Sequence, residues 1–207
     1  MLHILPVRTP QNIDLVRTVR CLIYFLSKTM IKLNFLSFTS YSSSHSFLFF
    51  QNQDMFGAGT DATIIVLEWT MAELLRNPEV MKKLQTEVRS KVSTNTTIKE
   101  EQLLDMKYLR AVIKEIMRLH PPGPLLIPRE SMERTHVQGY EIPKQARVVI
   151  NAWAIGRDGE HWEAPNEFRP ERFLSSNVDF RGRDFQLIPF GSGRRICPGI
   201  QFAMSNY

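Results

Sequence analysis

Residues 190–199 read Phe190-Gly191-Ser192-Gly193-Arg194-Arg195-Ile196-Cys197-Pro198-Gly199. A single cysteine lies in this glycine-rich stretch, with two arginines before it and Pro-Gly after it. The only other cysteine of the chain, Cys21, is far away in sequence, so the two lack the spacing of a zinc site. A lone thiolate framed by glycines suits a flat cofactor that the backbone must approach closely, and haem iron is the leading candidate. The competing interpretation of an isolated cysteine is an inert buried thiol.

The spacing Phe-x-x-Gly-x-Arg-x-Cys-x-Gly is met at every position, and it resembles the haem-ligand signature of the cytochrome P450 family. The resemblance implies that Cys197 ligates the iron of a b-type haem and donates electron density to it. It also implies that Arg195 pairs with a haem propionate. Gly193 and Gly199 would remove Cβ atoms that collide with the ring or force disallowed dihedrals. Phe190 would pack against the thiolate loop and keep it dry.

The composition is that of an ordinary globular protein. The 207 residues are long enough to bury a core, and 43% of them are hydrophobic. Two distant cysteines give no disulfide framework, which favours a reducing compartment. The formal net charge is +5, but four of those charges belong to residues 1–50. The remainder carries no basic stripe interleaved with aromatic residues, so nucleic-acid binding finds no support.

Residues 1–53 differ in composition from the rest of the chain. Positions 35–50 consist almost entirely of Ser, Phe and Leu without a helical or strand period. The apolar run at 21–26 is too short to span a bilayer, and no signal-peptide pattern is present. A basic amphipathic helix at 13–33 that lies on a membrane is one interpretation. The favoured hypothesis is a disordered, non-homologous extension that arises from translated intron, because Ser, Phe and Leu codons are pyrimidine-rich.

A helix without proline is predicted at 55–76, and its apolar residues on nearly every face indicate burial in a larger protein. Near its start, residues 58–63 read Ala-Gly-Thr-Asp-Ala-Thr. Seen alone this is a turn or a capped helix start, but here it resembles the oxygen-activating centre of the distal helix in the family. The resemblance implies catalytic roles in proton relay for Asp61 and Thr63. The chain departs from the family at Ala62, where threonine is usual, and Thr63 is rotated by ~100° from that place.

Further helices are predicted at 78–92, with Asn77 as N-cap, at 100–106 and at 107–119. Glu115 and Arg118 share a face of the last helix, which by itself predicts only a weak surface pair. With the later Phe-Arg-Pro-Glu-Arg-Phe at 168–173, they resemble the buried Glu–Arg–Arg cluster of the family, in which Arg172 is the third member.

A short strand is predicted at 125–129, where the resemblance places apolar substrate contacts at Leu125, Leu126 and Ile127. Arg129 aligns with a second arginine that binds a propionate. A hairpin is predicted between 135–142 and 146–150, and a short helix at 151–157. Packing roles are predicted for Trp153 and Trp162. His120, His136 and His161 lack metal-ligand spacing and receive no role.

The resemblance covers residues 54–207 and is closest to the plant microsomal branch. It implies a mainly α fold with a small β region, which is an incomplete cytochrome P450 fold from the distal long helix to the thiolate loop. It further implies monooxygenation of an apolar small molecule, with electrons from NADPH-cytochrome P450 reductase. The expected location is the cytosolic face of the endoplasmic reticulum membrane, although no anchor segment is recognised in this sequence. The alternatives are a non-catalytic fragment that retains the motifs, and a thiolate-haem isomerase or lyase that needs no reductase.

Overall fold

A computed structural model of the chain describes the backbone of residues 45–91 and 105–200, and the side chains within these ranges from Ala58 onward. The predicted class, mainly α with a small β region, is confirmed. In chain order the elements are α1 (His45–Arg76), α2 (Pro78–Lys91), α3 (Lys107–Leu119), β1 (Arg129–Glu130), β2 (Thr135–Val137), β3 (Tyr140–Ile142), β4 (Arg147–Val148) and α4 (Ala152–Ile155), followed by 3-10 turns at Pro170–Phe173 and Gly193–Arg195.

The helix bounds agree with the sequence for α3 and differ at α1. The long apolar helix begins at His45 rather than at residue 55, so it includes part of the stretch predicted as an extension. The predictions for residues 1–44 and for most of the helix at 100–106 lie outside the described residues.

Three helices build the core, and α3 lies at its centre. Ten of the thirteen residues of α3 are buried, and they pack against apolar side chains of α1 and α2 such as Leu74 and Leu84. Burial of each large apolar side chain stabilises the fold by about 1.5–3 kcal/mol. Later residues complete the core, among them Phe173 and Phe180. No described helix has both the length and the apolar character needed to cross a membrane.

The N-terminus of α3 is capped by a residue of another helix. The Glu87 carboxylate on α2 accepts hydrogen bonds from the backbone N–H groups of Tyr108 and Leu109, both at 2.8 Å. A carboxylate at this position satisfies two N–H groups that have no partner inside the helix and complements the helix dipole. Asn77 lies directly before α2, where its side chain is predicted to cap that helix. Its side-chain amide instead donates to the Glu73 carbonyl of α1 at 2.8 Å.

The strand predicted at 125–129 is wrong, since only Arg129 and Glu130 pair, with β4. Leu126 has a φ of 52°, and its N–H bonds to the Gly123 carbonyl in a turn. Pro124 and Pro128 flank this turn and have no N–H to donate, so this stretch cannot form a regular ladder.

The hairpin predicted across residues 143–145 is also wrong. Strands β2 and β3 form a hairpin inside the single strand that was expected at 135–142. Gln138 and Gly139 both have positive φ, of 49° and 85°, which matches the two-residue turn that joins twisted strands. Strand β4 therefore pairs with β1 and not with β3. The short helix is confirmed as α4, capped by the Asn151 side chain at 3.0 Å.

Candidate functional site

The cysteine loop is closed by local backbone hydrogen bonds. The N–H of Cys197 donates to the Phe190 carbonyl at 2.9 Å, and the N–H of Ile200 donates to the Cys197 carbonyl at 3.2 Å. Gly191 and Gly193 both have a φ of 73°, in the left-handed region that favours glycine. The thiol of Cys197 is free and partly exposed. The sequence therefore folds this stretch into a tight loop that presents one sulfur atom.

The two glycines among the predicted cofactor residues differ in their surroundings. A Cβ at Gly193 would meet no atom within 4 Å, whereas a Cβ at Gly199 would lie 3.7 Å from the Cys197 Sγ. Gly193 thus needs glycine for its backbone angle, while no neighbouring side chain within the described ranges fills the place of either missing Cβ.

The two predicted propionate arginines meet at the edge of the loop. The Arg129 Nη2 lies 3.5 Å from the carbonyl oxygen of Arg195, which is a long contact for a hydrogen bond. Arg195 itself is exposed, and Arg129 is half-buried in β1. Phe190 is half-buried as well, and its ring packs on that of Phe180 with centroids 5.4 Å apart. The structure therefore brings Cys197, Arg195, Phe190 and Arg129 into one neighbourhood.

The predicted proton-relay residues lie on α1. Asp61 is exposed, and the Thr63 hydroxyl donates to the Gly59 carbonyl one turn earlier at 2.7 Å. A threonine that bonds in this way tends to bend its helix. Within residues 45–91 and 105–200, no hydrogen bond or ion pair joins Asp61 or Thr63 to the cysteine loop.

Glu115 and Arg118 form a buried pair, with exposed fractions of 0% and 1%. The Nε and Nη2 atoms of Arg118 donate to the two carboxylate oxygens of Glu115, both at 2.8 Å. Arg172 donates from Nε to the same carboxylate at 3.1 Å, and the backbone N–H of Arg169 donates to it at 2.8 Å. The cluster expected from the resemblance is therefore present, with a backbone donor as a fourth contact.

The arginines of this cluster also anchor the chain that follows α4. Arg118 donates to the carbonyls of Gly156, Pro165 and Glu167 at 2.5–3.1 Å. Arg172 donates to the Glu163 carbonyl at 2.8 Å. The ring of Trp162 packs below both guanidinium groups, 5.2 Å from Arg118 and 5.9 Å from Arg172. Trp162 is buried, in keeping with its predicted packing role, whereas Trp153 is 47% exposed beneath Arg157.

Sequence reasoning missed a second polar cluster, at the C-terminal ends of α1 and α3. The His120 ring stacks on Trp69 with centroids 3.8 Å apart, and its Nε2 lies 2.9 Å from the Glu73 carboxylate. Burial lowers the pKa of His120, although the Glu73 carboxylate acts in the opposite direction. Glu73, His120 and Arg157 line a cavity of about 520 Å³. Glu73 and His120 are 47 positions apart, and no local sequence pattern relates residues at that separation. The cluster could therefore not be predicted from the sequence.

Comparison with known proteins agrees with this geometry. The sequence model of the family described as Cytochrome P450 matches residues 45–207 of this chain. The chain belongs to the cytochrome P450 family. Its resemblance to that family, stated above from the cysteine loop, is thereby confirmed.

Curated plant cytochrome P450 proteins are among its relatives. Cytochrome P450 71A1 of Persea americana is 56% identical over 153 residues, which cover 74% of this chain and 30% of the relative. Tabersonine 16-hydroxylase 2 of Catharanthus roseus is 52% identical over 153 residues, with the same two shares. Norfluorocurarine oxidase of a Strychnos species is 55% identical over 152 residues, or 73% of this chain and 30% of the relative. The chain thus spans about 30% of the length of these relatives.

Solved cytochrome P450 structures match as well. A zebra fish cytochrome P450 with abiraterone superposes with a TM-score of 0.66 at 36% identity. The match covers 75% of this chain and 35% of that chain.

Proposed function

We propose that this chain carries the haem-thiolate segment of a cytochrome P450 monooxygenase, with Cys197 as the iron ligand. The observation that carries the proposal is the loop at 190–199, in which a free, partly exposed thiol lies next to Gly199. The open space at Gly193 suits a flat ring that approaches the backbone closely. Haem, when bound, would supply the oxygen chemistry, in which one oxygen atom enters the substrate and the other leaves as water.

The chain's own residues would hold and serve that group. Cys197 would offer its sulfur, while Arg195 and Arg129 would offer guanidinium donors to the propionates. Asp61, exposed on α1, would pass protons from solvent toward the distal side. Thr63 would assist only when its hydroxyl leaves the Gly59 carbonyl that it now contacts.

The substrate class and the partner belong to the same proposal. Leu125 and Ile127 are 50% and 84% exposed, so the turn before β1 presents apolar surface suited to an apolar small molecule. The names of two relatives describe a hydroxylase and an oxidase, which fits oxygen insertion. NADPH-cytochrome P450 reductase would deliver the electrons at the cytosolic face of the endoplasmic reticulum membrane, as is expected for plant relatives.

A carbon monoxide difference spectrum of the haem-loaded chain tests the proposal. We expect the reduced protein to absorb at the position of thiolate-ligated haem. Cys197→Ser should abolish that band, whereas the control Cys21→Ser should keep it. Absence of the band from the wild-type chain would leave the alternative, a non-catalytic fragment that retains the motifs.

A separate proposal concerns the boundary between residues 53 and 54, where the family-like part of the chain is predicted to begin. We infer that residues 1–53 derive from translated intron, because positions 35–50 consist almost entirely of Ser, Phe and Leu, whose codons are rich in pyrimidines. Sequencing of transcripts across this region should show a splice junction near Gln51. A continuous message that encodes Ser42 to Phe50 would refute the inference.

A further inference from the structure

Lys114 lies one residue before Glu115 on α3, and its side chain is only 17% exposed. Its Nζ donates to the Val178 carbonyl at 2.8 Å and lies 3.8 Å from the Asp179 carboxylate. The ammonium is also 5.8 Å from the centroid of the Phe173 ring. Lysine rarely becomes this buried unless it is paired. The contacts therefore mark Lys114 as an anchor for residues near 178, in contrast to Lys107 of the same helix, which is exposed.

The anchored residues begin a segment, 178–184, that is held in one shape by its own hydrogen bonds. The backbone N–H of Asp179 donates to the Asp184 carboxylate at 2.8 Å, and that of Phe180 donates to the Asp179 carboxylate at 2.8 Å. Phe180 is 1% exposed. A segment closed on itself in this way moves as a unit, so a tether at Val178 restrains its far end.

The 178–184 segment contacts the cysteine loop at three points. The Ser192 hydroxyl donates to the Gly182 carbonyl at 2.6 Å. A Cβ on Gly182 would lie 2.8 Å from the Ile196 side chain, so glycine allows the two backbones to pack closely. The Phe180 ring packs on Phe190, 5.4 Å between centroids.

Through Phe190 this restraint reaches the cysteine itself. The Phe190 carbonyl accepts the hydrogen bond from the Cys197 N–H at 2.9 Å. A continuous set of contacts thus runs from Lys114 through Val178, Phe180 and Phe190 to Cys197.

We propose that Lys114 is a positioning residue for the Cys197 loop: its ammonium tethers the 178–184 segment to α3, and that segment fixes the backbone that presents the thiol. The proposal rests on the proposed function in that it gives this thiol a ligand's role. Burial lowers the pKa of Lys114, and the nearby Arg110 and Arg181 act in the same direction, while Asp179 and Asp184 act to raise it.

The test measures accessibility of the thiol in the haem-free, full-length chain. Lys114→Met keeps most of the apolar stem and removes the ammonium. Iodoacetamide alkylates the thiol, and peptide mass spectrometry separates the reaction at Cys197 from that at Cys21. We expect Cys197 in Lys114→Met to react about tenfold faster than in the wild type. A hydrogen bond from a charged donor favours the closed over the open form of the loop by roughly that factor. Lys114→Arg should restore a rate near that of the wild type, and Lys107→Met should leave the rate unchanged.

Hydrogen exchange of the α3 amides distinguishes positioning from general stability. Faster alkylation with unchanged exchange in α3 supports the proposal. An unchanged alkylation rate in Lys114→Met overturns it. Faster alkylation accompanied by faster hydrogen exchange along the whole of α3 also overturns it, because the substitution would then act on the stability of the helix. Failure of the wild-type chain to give the thiolate band would refute the proposed function, whereas equal alkylation rates would refute the role of Lys114.

Discussion

The Glu115→Gln substitution gives the sharpest test of what stabilises the fold. Glutamine keeps the shape of the side chain but removes the charge that Arg118 and Arg172 share. It also replaces one acceptor oxygen with an NH₂ group. One oxygen of Glu115 accepts from Arg118, Arg172 and the Arg169 N–H, and the other accepts from Arg118. The NH₂ group would therefore face a donor in either orientation of the amide.

The cost follows from the burial of Arg118. That guanidinium is 1% exposed, and after the substitution its charge would have no carboxylate to compensate it. Removal of one partner from a buried ion pair typically costs about 3–5 kcal/mol. Native domains are stable by only about 5–15 kcal/mol, so this single change should remove a large part of the free energy of unfolding. The three carbonyls that Arg118 also satisfies keep their donor, so the cost comes from the lost charge and from the hydrogen bonds at the carboxylate itself.

Denaturant unfolding followed by tryptophan fluorescence provides the assay, since Trp162 packs against both guanidinium groups. The matched control is Glu167→Gln, because the Glu167 side chain is 67% exposed and lies 4.0 Å from Arg169. An exposed pair of this kind contributes about 0–1 kcal/mol, so the control should unfold nearly as the wild type does. A loss below about 1 kcal/mol in Glu115→Gln would contradict the reasoning, since it would mean that Arg118 gains little from its buried partner.

Three further predictions concern α1, the cysteine loop and α3. Ala62→Thr should lower the peroxide released per NADPH consumed by the loaded enzyme at least about twofold, because a positioned hydroxyl aids proton transfer; unchanged peroxide would count against that role. Gly193→Ala should destabilise the fold by about 1–2 kcal/mol in thermal unfolding, since its φ is 73°, whereas Gly159→Ala, at a glycine without positive φ, should be near neutral; equal effects would contradict a backbone cause. The lowered pKa of His120 means that the unfolded chain binds more protons around pH 6.5, so stability should fall as the pH drops through that region. His120→Gln should remove this component, and parallel pH profiles would argue against it.

Features that depend on neighbours in sequence were predictable from the sequence. The bounds of α3 follow from its apolar period and the two prolines behind it, and the structure has it at Lys107–Leu119. Glycine at position 193 was expected from the resemblance, either for space or for its dihedral angles, and its φ of 73° agrees with the second reason. The Glu115–Arg118 pair follows from three-residue spacing, but its burial required a comparison with the later arginine-containing motif.

Several contacts between residues distant in sequence were not predicted. The cap of α3 comes from Glu87, across a connection of more than a dozen residues, and only tertiary packing brings that carboxylate to Tyr108. The partner of β4 was misjudged because the turn at Gln138 and Gly139 lacks the usual Asn-Gly or Asp-Gly signal. The stacking of His120 on Trp69 likewise joins two helices that the sequence describes separately.

Two adjacent residues of α3 bind two different segments of the chain. Glu115 and Lys114 are one position apart, so their side chains leave the helix about 100° apart and reach separate segments. Glu115 binds the turn that contains Arg172, whereas Lys114 binds Val178, a few residues later. The chain is thus fixed to the same helix twice before it enters the cysteine loop. Loss of the first contact should lower the stability of the whole fold, because a buried charge loses its partner. Loss of the second should act mainly on the cysteine loop, because the 178–184 segment loses its tether to α3 while the buried Glu115–Arg118 pair remains intact.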